Sequence, residues 1–500
     1  MPHQILVIGA GAGSDGLFEH RSGSIHADTS IIVGDAGHGT YRHTSGMLQQ
    51  YFSTETVVGA QVGGQGRYEL AGATAHLNGF RTVVGDAGSG TFVHTDGDHS
   101  VAELVVGRAA EGEGEYQLSG GSLVAGDIVL GDQAGSHGTF AQAGWPSSAS
   151  LDFQRLIIGR SGSGQFVLED GGMLLVQPHQ SIVLGEQGGS EGVFEQRDSY
   201  VNANYGYGDA GIVIGEAGRG IYRQYLGRHD ALETVLGRQA GSEGTYELSG
   251  SVSDEWGGVR EAEYHAQRTI VGDAGAGHFI QLDGLHGSDD LILGRSNGGS
   301  GEYQLSGGTL YASNLVVGEA GGSQGRFDLS GGDMDVMRLV LGDQAGSRGV
   351  FNQTDDGDLY TDELIVGRQG SGEFIYDAYQ PLFDNPQMRL VIGEQAGSDG
   401  LFEQRSGHLS AWGGQPLIVG ESGRGVYRQL GAAQHARSET IVGHLAGSDG
   451  TYEMSGSVDH GFGWVETPRY SAQRTVVGDA GAGRFLQQSG ENVSDELVIG

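Results

Sequence analysis

The chain has 500 residues, with 96 Gly, 7 Pro and no Cys, and its 27 cations, all arginine, face 63 acids for a net charge of −36 at pH 7. That charge repels nucleic acid and anionic membrane, so neither is expected as a partner. The missing Cys excludes disulfides, thiolate metal sites and thiol nucleophiles, and glycine without strict every-third spacing excludes collagen.

The first predicted element is a strand, Leu6-Val7-Ile8, closed by Gly9. It follows Met-Pro-His-Gln directly, with no signal-peptide pattern, so export is expected to need a signal outside this chain. No apolar run approaches the ~20 residues of a membrane-spanning helix. The same apolar triplet plus glycine returns at Gly34, Gly59, Gly85, Gly107 and onward to Gly500, giving nineteen intervals with a mean of 25.8 residues. A self-similar period of roughly 20–50 residues marks a solenoid, propeller or array. A propeller blade needs about 40–50 residues, so a coil of two or three short strands fits better. The triplets are β-branched and apolar, as in strands buried in a parallel stack. Spacers such as DQAGSHG are turn chemistry, and stretches such as EYQLSGG alternate with period two. The expected fold is a single all-β parallel β-helix of about nineteen coils. At ~4.8 Å per rung it would form a rod of roughly 90 Å.

Each interval carries an aromatic seven or nine residues after its anchor glycine, always preceded two positions earlier by Gly. These are Phe18, Tyr41, Tyr68, Phe92, Tyr116, Phe140, Phe166, Phe194, Tyr222, Tyr246, Phe279, Tyr303, Phe327, Phe351, Phe374, Phe402, Tyr427, Tyr452 and Phe485. Strict recurrence predicts one internal ladder, with a carbohydrate-binding row as the alternative. Burying such a ring contributes about 4–6 kcal/mol gross, before entropy is counted. Two residues further on, leucine and glutamine dominate, as Leu70, Leu118, Leu248 and Leu305 against Gln142, Gln196, Gln281 and Gln404. Stacked glutamines are expected to bond amide to amide along the axis.

The residue after each anchor glycine forms a second column: Asp86, Arg108, Asp132, Arg160, Glu186, Glu216, Arg238, Asp273, Arg295, Glu319, Asp343, Arg368 and Glu394. Its signs alternate for much of its length, as an exposed salt-bridge ladder would. A calcium ladder is the competing reading, although arginine has the wrong charge for a cation site, and no other cofactor is indicated.

Two intervals, 237–272 and 443–478, run to 35 residues and must bulge outward. They carry Trp256, Tyr264, Phe462, Trp464 and Tyr470 as candidate contact aromatics for glycan, a neighbouring copy or a partner protein, the alternative being that each loop folds back to cover its own coil. Gly237, Gly272 and Gly294 recur 206 residues later at Gly443, Gly478 and Gly500. On this longer repeat the chain reads as three consecutive blocks of one solenoid, residues 1–184, 185–392 and 393–500.

The phrase LVIGEQAGSDGLFEQRSG, with variants IVGDAGHGTYRHTSG and LVVGEAGGSQGRFDLSGG, resembles the repeat of type V secretion (autotransporter) passengers and PEP-CTERM surface proteins of bacteria. The resemblance covers residues 5–500. It implies a right-handed parallel β-helix at the cell surface, adhesin-like in role. The expected function is a non-catalytic extracellular rod, a fibre subunit or adhesin, self-associating end to end or laterally. A chain stopping at Asp-Glu-Leu-Val-Ile-Gly without a cap is expected to be either part of a longer array or a stacking subunit. The rival class is a polysaccharide lyase or hydrolase, for which Asp289-Asp290 and Asp355-Asp356-Gly357-Asp358 are the candidate acids. A calcium-dependent surface-layer protein is the remaining alternative.

Overall fold

In the computed structural model, residues 6–51, 54–144, 149–169, 171–204, 211–253, 258–354, 357–378, 381–382, 387–411, 414–459 and 465–500 are described, and every regular element among them is a β-strand. The chain divides into two compact units, Met1–His265 and Ala266–Gly500. Both are β-solenoids in which, two short antiparallel excursions apart, the strands pair in parallel with their equivalents one coil away.

The coil after Gly107 shows the plan. A turn leads into the aromatic strand Glu113–Leu118, and a second turn leads into the long strand Gly121–Leu130. The end of that long strand is the apolar triplet before the next anchor, Gly131. Tyr116 lies opposite Phe92 on one side and Phe140 on the other, and Leu130 opposite Val106 and Ile158. A one-residue slip would turn every inward side chain outward, so the apolar pattern fixes this register.

Two glycines shape each coil, for different reasons. The anchor ends the triplet strand in the left-handed region, as at Gly34 with φ +72°. A Cβ there would lie 2.1 Å from the Gln65 carbonyl oxygen of the next coil. The glycine two before the aromatic has no such dihedral. At Gly66 a Cβ would point inward, 2.1 Å from the Val33 carbonyl and 2.3 Å from the Gly59 amide nitrogen. Here close backbone approach, not conformational freedom, excludes a side chain.

Beyond that glycine the strand alternates, so Gly114, Tyr116 and Leu118 face inward. In the first unit the rings from Tyr41 through Phe92 to Tyr116 stack 4.6–4.7 Å apart within 8° of parallel, and the column continues to Tyr246. In the second unit the column runs from Phe279 to Phe485 with centroids 4.7–5.0 Å apart. Phe18 and Phe485 are half-buried, and the seventeen rings between them in sequence are wholly buried.

Candidate functional site

The inward position two residues after each aromatic holds either an apolar residue or a residue with both a donor and an acceptor. The expected amide-to-amide glutamine ladder is not what forms. Gln196 gives one amide hydrogen to the Ser199 carbonyl and another to the Arg228 carbonyl, both at 2.9 Å. Its Oε1 accepts from Tyr222 of the next coil at 2.8 Å. Gln224 with Tyr246, Gln281 with Tyr303, Gln404 with Tyr427 and Gln429 with Tyr452 repeat the arrangement. With both amide hydrogens spent on carbonyls, nothing remains for a neighbouring glutamine.

Histidine does the same work. His43 Nε2–H donates to the Gly46 carbonyl at 3.0 Å, leaving Nδ1 to accept from Tyr68 at 3.1 Å. His20 and His94 meet Tyr41 and Tyr116 in the same way. Each tyrosine of the ladder therefore follows a His or Gln one coil earlier, whereas Leu70, Leu118, Leu168, Leu248, Leu305, Leu329 and Met454 each precede a Phe. Gln142 and Gln353 break the pattern, because Phe166 and Phe374 come next, and their Oε1 atoms are buried with no partner among the described residues.

A second set of histidines lies on the long strands, seventeen residues before a tyrosine. His229 Nδ1 lies 2.9 Å from the Tyr246 hydroxyl. That hydroxyl spends its only proton on Gln224, so His229 must donate from Nδ1 and leave Nε2 as the acceptor. The same logic sets His286 against Tyr303 and His435 against Tyr452. His99 completes an ordered chain from Thr82 through His99, Tyr116 and His94 to the Gly97 carbonyl. Burial pushes these rings toward the neutral form, His43 down to about 4, His229 down to about 3, and His94, His99 and His435 in the same direction.

The outer face of the triplet strands carries charge in two columns, of which the sequence pattern announces one. In the expected column Arg108 pairs with Asp86 at 2.6 Å, Arg160 with Asp132 at 2.8 Å and with Glu186 at 3.5 Å, and Arg238 with Glu216 at 3.3 Å. In the second unit Arg295 pairs with Asp273 and Arg368 with Asp343, both at 2.5 Å, and Arg368 lies 3.7 Å from Glu394. The second column starts each triplet strand, with Glu55, Arg81, Glu103, Asp127 and Arg155 in the first unit. Cross-links such as Arg108–Glu55 at 2.9 Å and Arg389–Glu394 at 3.0 Å join the columns. Between them Val57, Val83, Val105, Val129 and Ile157 form an outward-facing row that is nevertheless buried. Ala60, at the position after an anchor glycine, packs against this row. Most residues of the expected column are half-buried, with Arg238 exposed and Asp273 buried, where the sequence suggests an exposed ladder.

Glu319 interrupts the net. Burial and the neighbouring Asp343 push its carboxyl upward, and it lines a groove of about 440 Å³ with Arg268, Asp290, Asn314 and Arg338. Of the candidate acids, Asp289 is exposed, Asp290 lies 3.6 Å from Arg268, and Asp355 and Asp356 lie outside the described residues. Among the described residues no group of three or more His, Asp or Glu could hold a metal ion. No helix among them is long and apolar enough to cross a membrane.

The two long intervals contain antiparallel excursions, Ser251–Ser253 against part of Val259–Val271, and Val458–Asp459 against Val465–Glu466. Trp256, Phe462 and Trp464 lie outside the described residues. Tyr264 and Tyr470 correct the contact-loop expectation, for both are wholly buried. After the first excursion the chain resumes alternation, so Ala262 and Tyr264 face inward, and Tyr264 packs 4.8 Å from the Tyr246 ring. Tyr470 likewise meets Tyr452 edge-on at 5.1 Å. The period-two pattern of REAEYHAQ carried that signal.

One further inward residue has no precedent in the repeat. Arg437 is wholly buried, on the strand Gln434–Val442, where the position 206 residues earlier is Ala231. Among the described residues its only hydrogen bond runs from Nη1 to the Met388 carbonyl at 3.3 Å. Burial pushes its guanidinium down to about 10, so it stays charged at neutral pH.

No protein-family model matches the sequence, and no curated protein is significantly similar to it.

Proposed function

We propose that this chain is a non-catalytic structural element of a bacterial cell surface, a fibre subunit or adhesin-like rod that acts through length and repeated surface. The observation that carries this reading is where the polar chemistry goes. Histidine, glutamine and tyrosine side chains are spent on one another inside the coils, and most arginines on carboxylates of adjacent coils outside. Groups tied up in this way build extent more readily than a reactive site. The resemblance of the repeat to autotransporter and PEP-CTERM surface proteins supports an extracellular or surface location. Self-association into filaments, with exposed valines of the excursions such as Val259 and Val465 as contact points, extends the same reading.

Electron microscopy of the purified chain over a concentration series tests it. Elongated particles that associate end to end or side by side are expected, and compact monodisperse particles at high concentration would overturn the filament reading. A polysaccharide-active enzyme draws on one observation, the raised carboxyl of Glu319 in its groove. Release of reducing ends from acidic polysaccharides, abolished by E319Q, would favour that reading instead.

A further inference from the structure

The guanidinium of Arg437 is out of place in a core that otherwise places neutral groups inward. By register it lies beside Ala411 on one side and Ala472 on the other. On the Ala472 side the buried neighbour is a single methyl group, and the long arginine side chain runs along the axis the other way. It reaches the carbonyl of Met388, a residue before Gly393, whereas Arg437 itself precedes Gly443, so the side chain passes one complete coil. That single bond uses one hydrogen of Nη1. Nε and Nη2 are both buried, and neither has a partner among the described residues.

Arginine cannot shed its proton at any ordinary pH, so neutralisation is closed to it. A buried charge without a counter-charge costs several kcal/mol, and buried charges in folded proteins are accordingly paired. The edge left open is the chemically informative one. Nε–H and Nη2–H point the same way, the fork that two oxygens of a carboxylate or a single halide satisfy.

We propose that the Nε–Nη2 edge of Arg437 is a buried binding site for one compact monovalent anion, a halide or short carboxylate, which completes the core of the second unit. Tyr427 and His435 are the ionisable neighbours that bear on it, and both are neutral at pH 7, so neither supplies the missing negative charge. The equivalent coil of the first unit has Ala231 at this position and needs no ion.

The test is thermal unfolding of the full chain at constant ionic strength, with chloride, bromide or acetate exchanged stepwise for gluconate, which is too bulky to enter. Anion binding to the folded state raises Tm with the logarithm of concentration once the site is half filled, by roughly 2–4 °C per tenfold. R437M keeps the length and removes the charge. It is expected to match or exceed the wild type in gluconate and to show no anion-specific shift. Broadening of the ³⁵Cl resonance by the wild type, absent in R437M, is an independent readout that does not depend on unfolding. A wild type whose Tm and chloride linewidth follow R437M in every anion would overturn the site. Acetate and chloride arms of equal effect identify a site selective for charge and size, and an acetate effect alone identifies a carboxylate site.

Discussion

Tyr246 donates its hydroxyl proton to Gln224 Oε1 across a single coil step at 2.6 Å, inside a core where neither group meets water. The Gln224 amide is held in turn by the Gly227 and Glu263 carbonyls. Removing either partner alone strands a buried polar group. Y246F is expected to lower stability by about 1–3 kcal/mol and Q224L by a similar amount, and the double variant is expected to cost less than their sum, because each single change already breaks the bond between them. Urea unfolding of the three variants gives the coupling energy, and strict additivity would show that the pair does not interact.

The two exceptions make the converse prediction. Gln142 and Gln353 come one coil before Phe166 and Phe374, and the Oε1 atoms of both are unpartnered among the described residues. Adding one hydroxyl at either ring, F166Y or F374Y, supplies the missing donor and is expected to raise stability by about 1 kcal/mol. F140Y is the control. Its ring follows Leu118, so the new hydroxyl finds no acceptor there, and a loss of about 1–3 kcal/mol is expected. Equal effects at Phe140 and Phe166 in chemical denaturation would remove the pairing rule.

Much of this architecture was legible beforehand, because each coil repeats its own local signals. The apolar triplet, the turn and the aromatic two residues after a glycine each report one strand or corner, and Tyr116 sits in the stack where its spacing puts it. The pairing of Gln224 with Tyr246 was harder to see, since it links one coil to the next and is carried by neither repeat unit alone. The column of Glu55, Arg81 and Glu103 was hidden in a position that also tolerates Ser181 and Gly211. Arg437 gave no warning. A lone arginine on a strand reads as a surface residue, and only packing reveals that it is wholly buried.

Acid should loosen the core before it disturbs the surface. The buried histidines are held neutral, His43 with its pKa near 4 and His229 near 3, against about 6.5 in the unfolded chain. Between those limits the unfolded chain binds more protons, so stability falls as pH drops below ~6.5, by up to about 1.4 kcal/mol per unit for each such ring. His43 stops contributing near pH 4 and His229 near pH 3; above pH ~6.5 neither adds slope. Arginine-paired carboxylates such as Glu69 and Glu363, held below their usual range, act only at lower pH, beneath about 4.5. Tm followed by circular dichroism should therefore fall steadily from pH 6.5 to 5, with a shallower slope for H229L. A Tm independent of pH over that range would contradict neutral burial.

A turn glycine, Gly63, and the strand glycine Gly66 separate conformational strain from steric exclusion. Gly63 has φ +84° and open space where a methyl group would go, so G63A is expected to cost about 1–2 kcal/mol of backbone strain. Gly66 has no positive φ, yet its added Cβ would meet two backbone atoms within 2.3 Å. Backbone on both sides cannot turn aside as a side chain can, so G66A should cost more than about 3 kcal/mol or part the coils locally. Hydrogen exchange across Gln65–Val84 distinguishes the outcomes, with protection kept in G63A and lost in G66A.

Arg160 tests whether the outer net acts through charge or through cover. It reaches Asp132, Glu186 and Glu103 at 2.8, 3.5 and 3.8 Å, and its position in sequence lies three residues after Ile157 of the buried outward row. Half-exposed ion pairs contribute about 0.2–1 kcal/mol and weaken with salt, whereas apolar cover does not. R160M removes the charge and keeps most of the stem; R160A removes both. The deficit of R160M relative to wild type should shrink between 0.05 and 1 M NaCl, by roughly the Debye screening of such pairs. The further deficit of R160A relative to R160M should persist at every salt concentration, because it measures Ile157 and its neighbours meeting water. If the two variants instead converge in high salt, the arginine contributes charge alone, and the buried state of that outward row must come from the strands themselves.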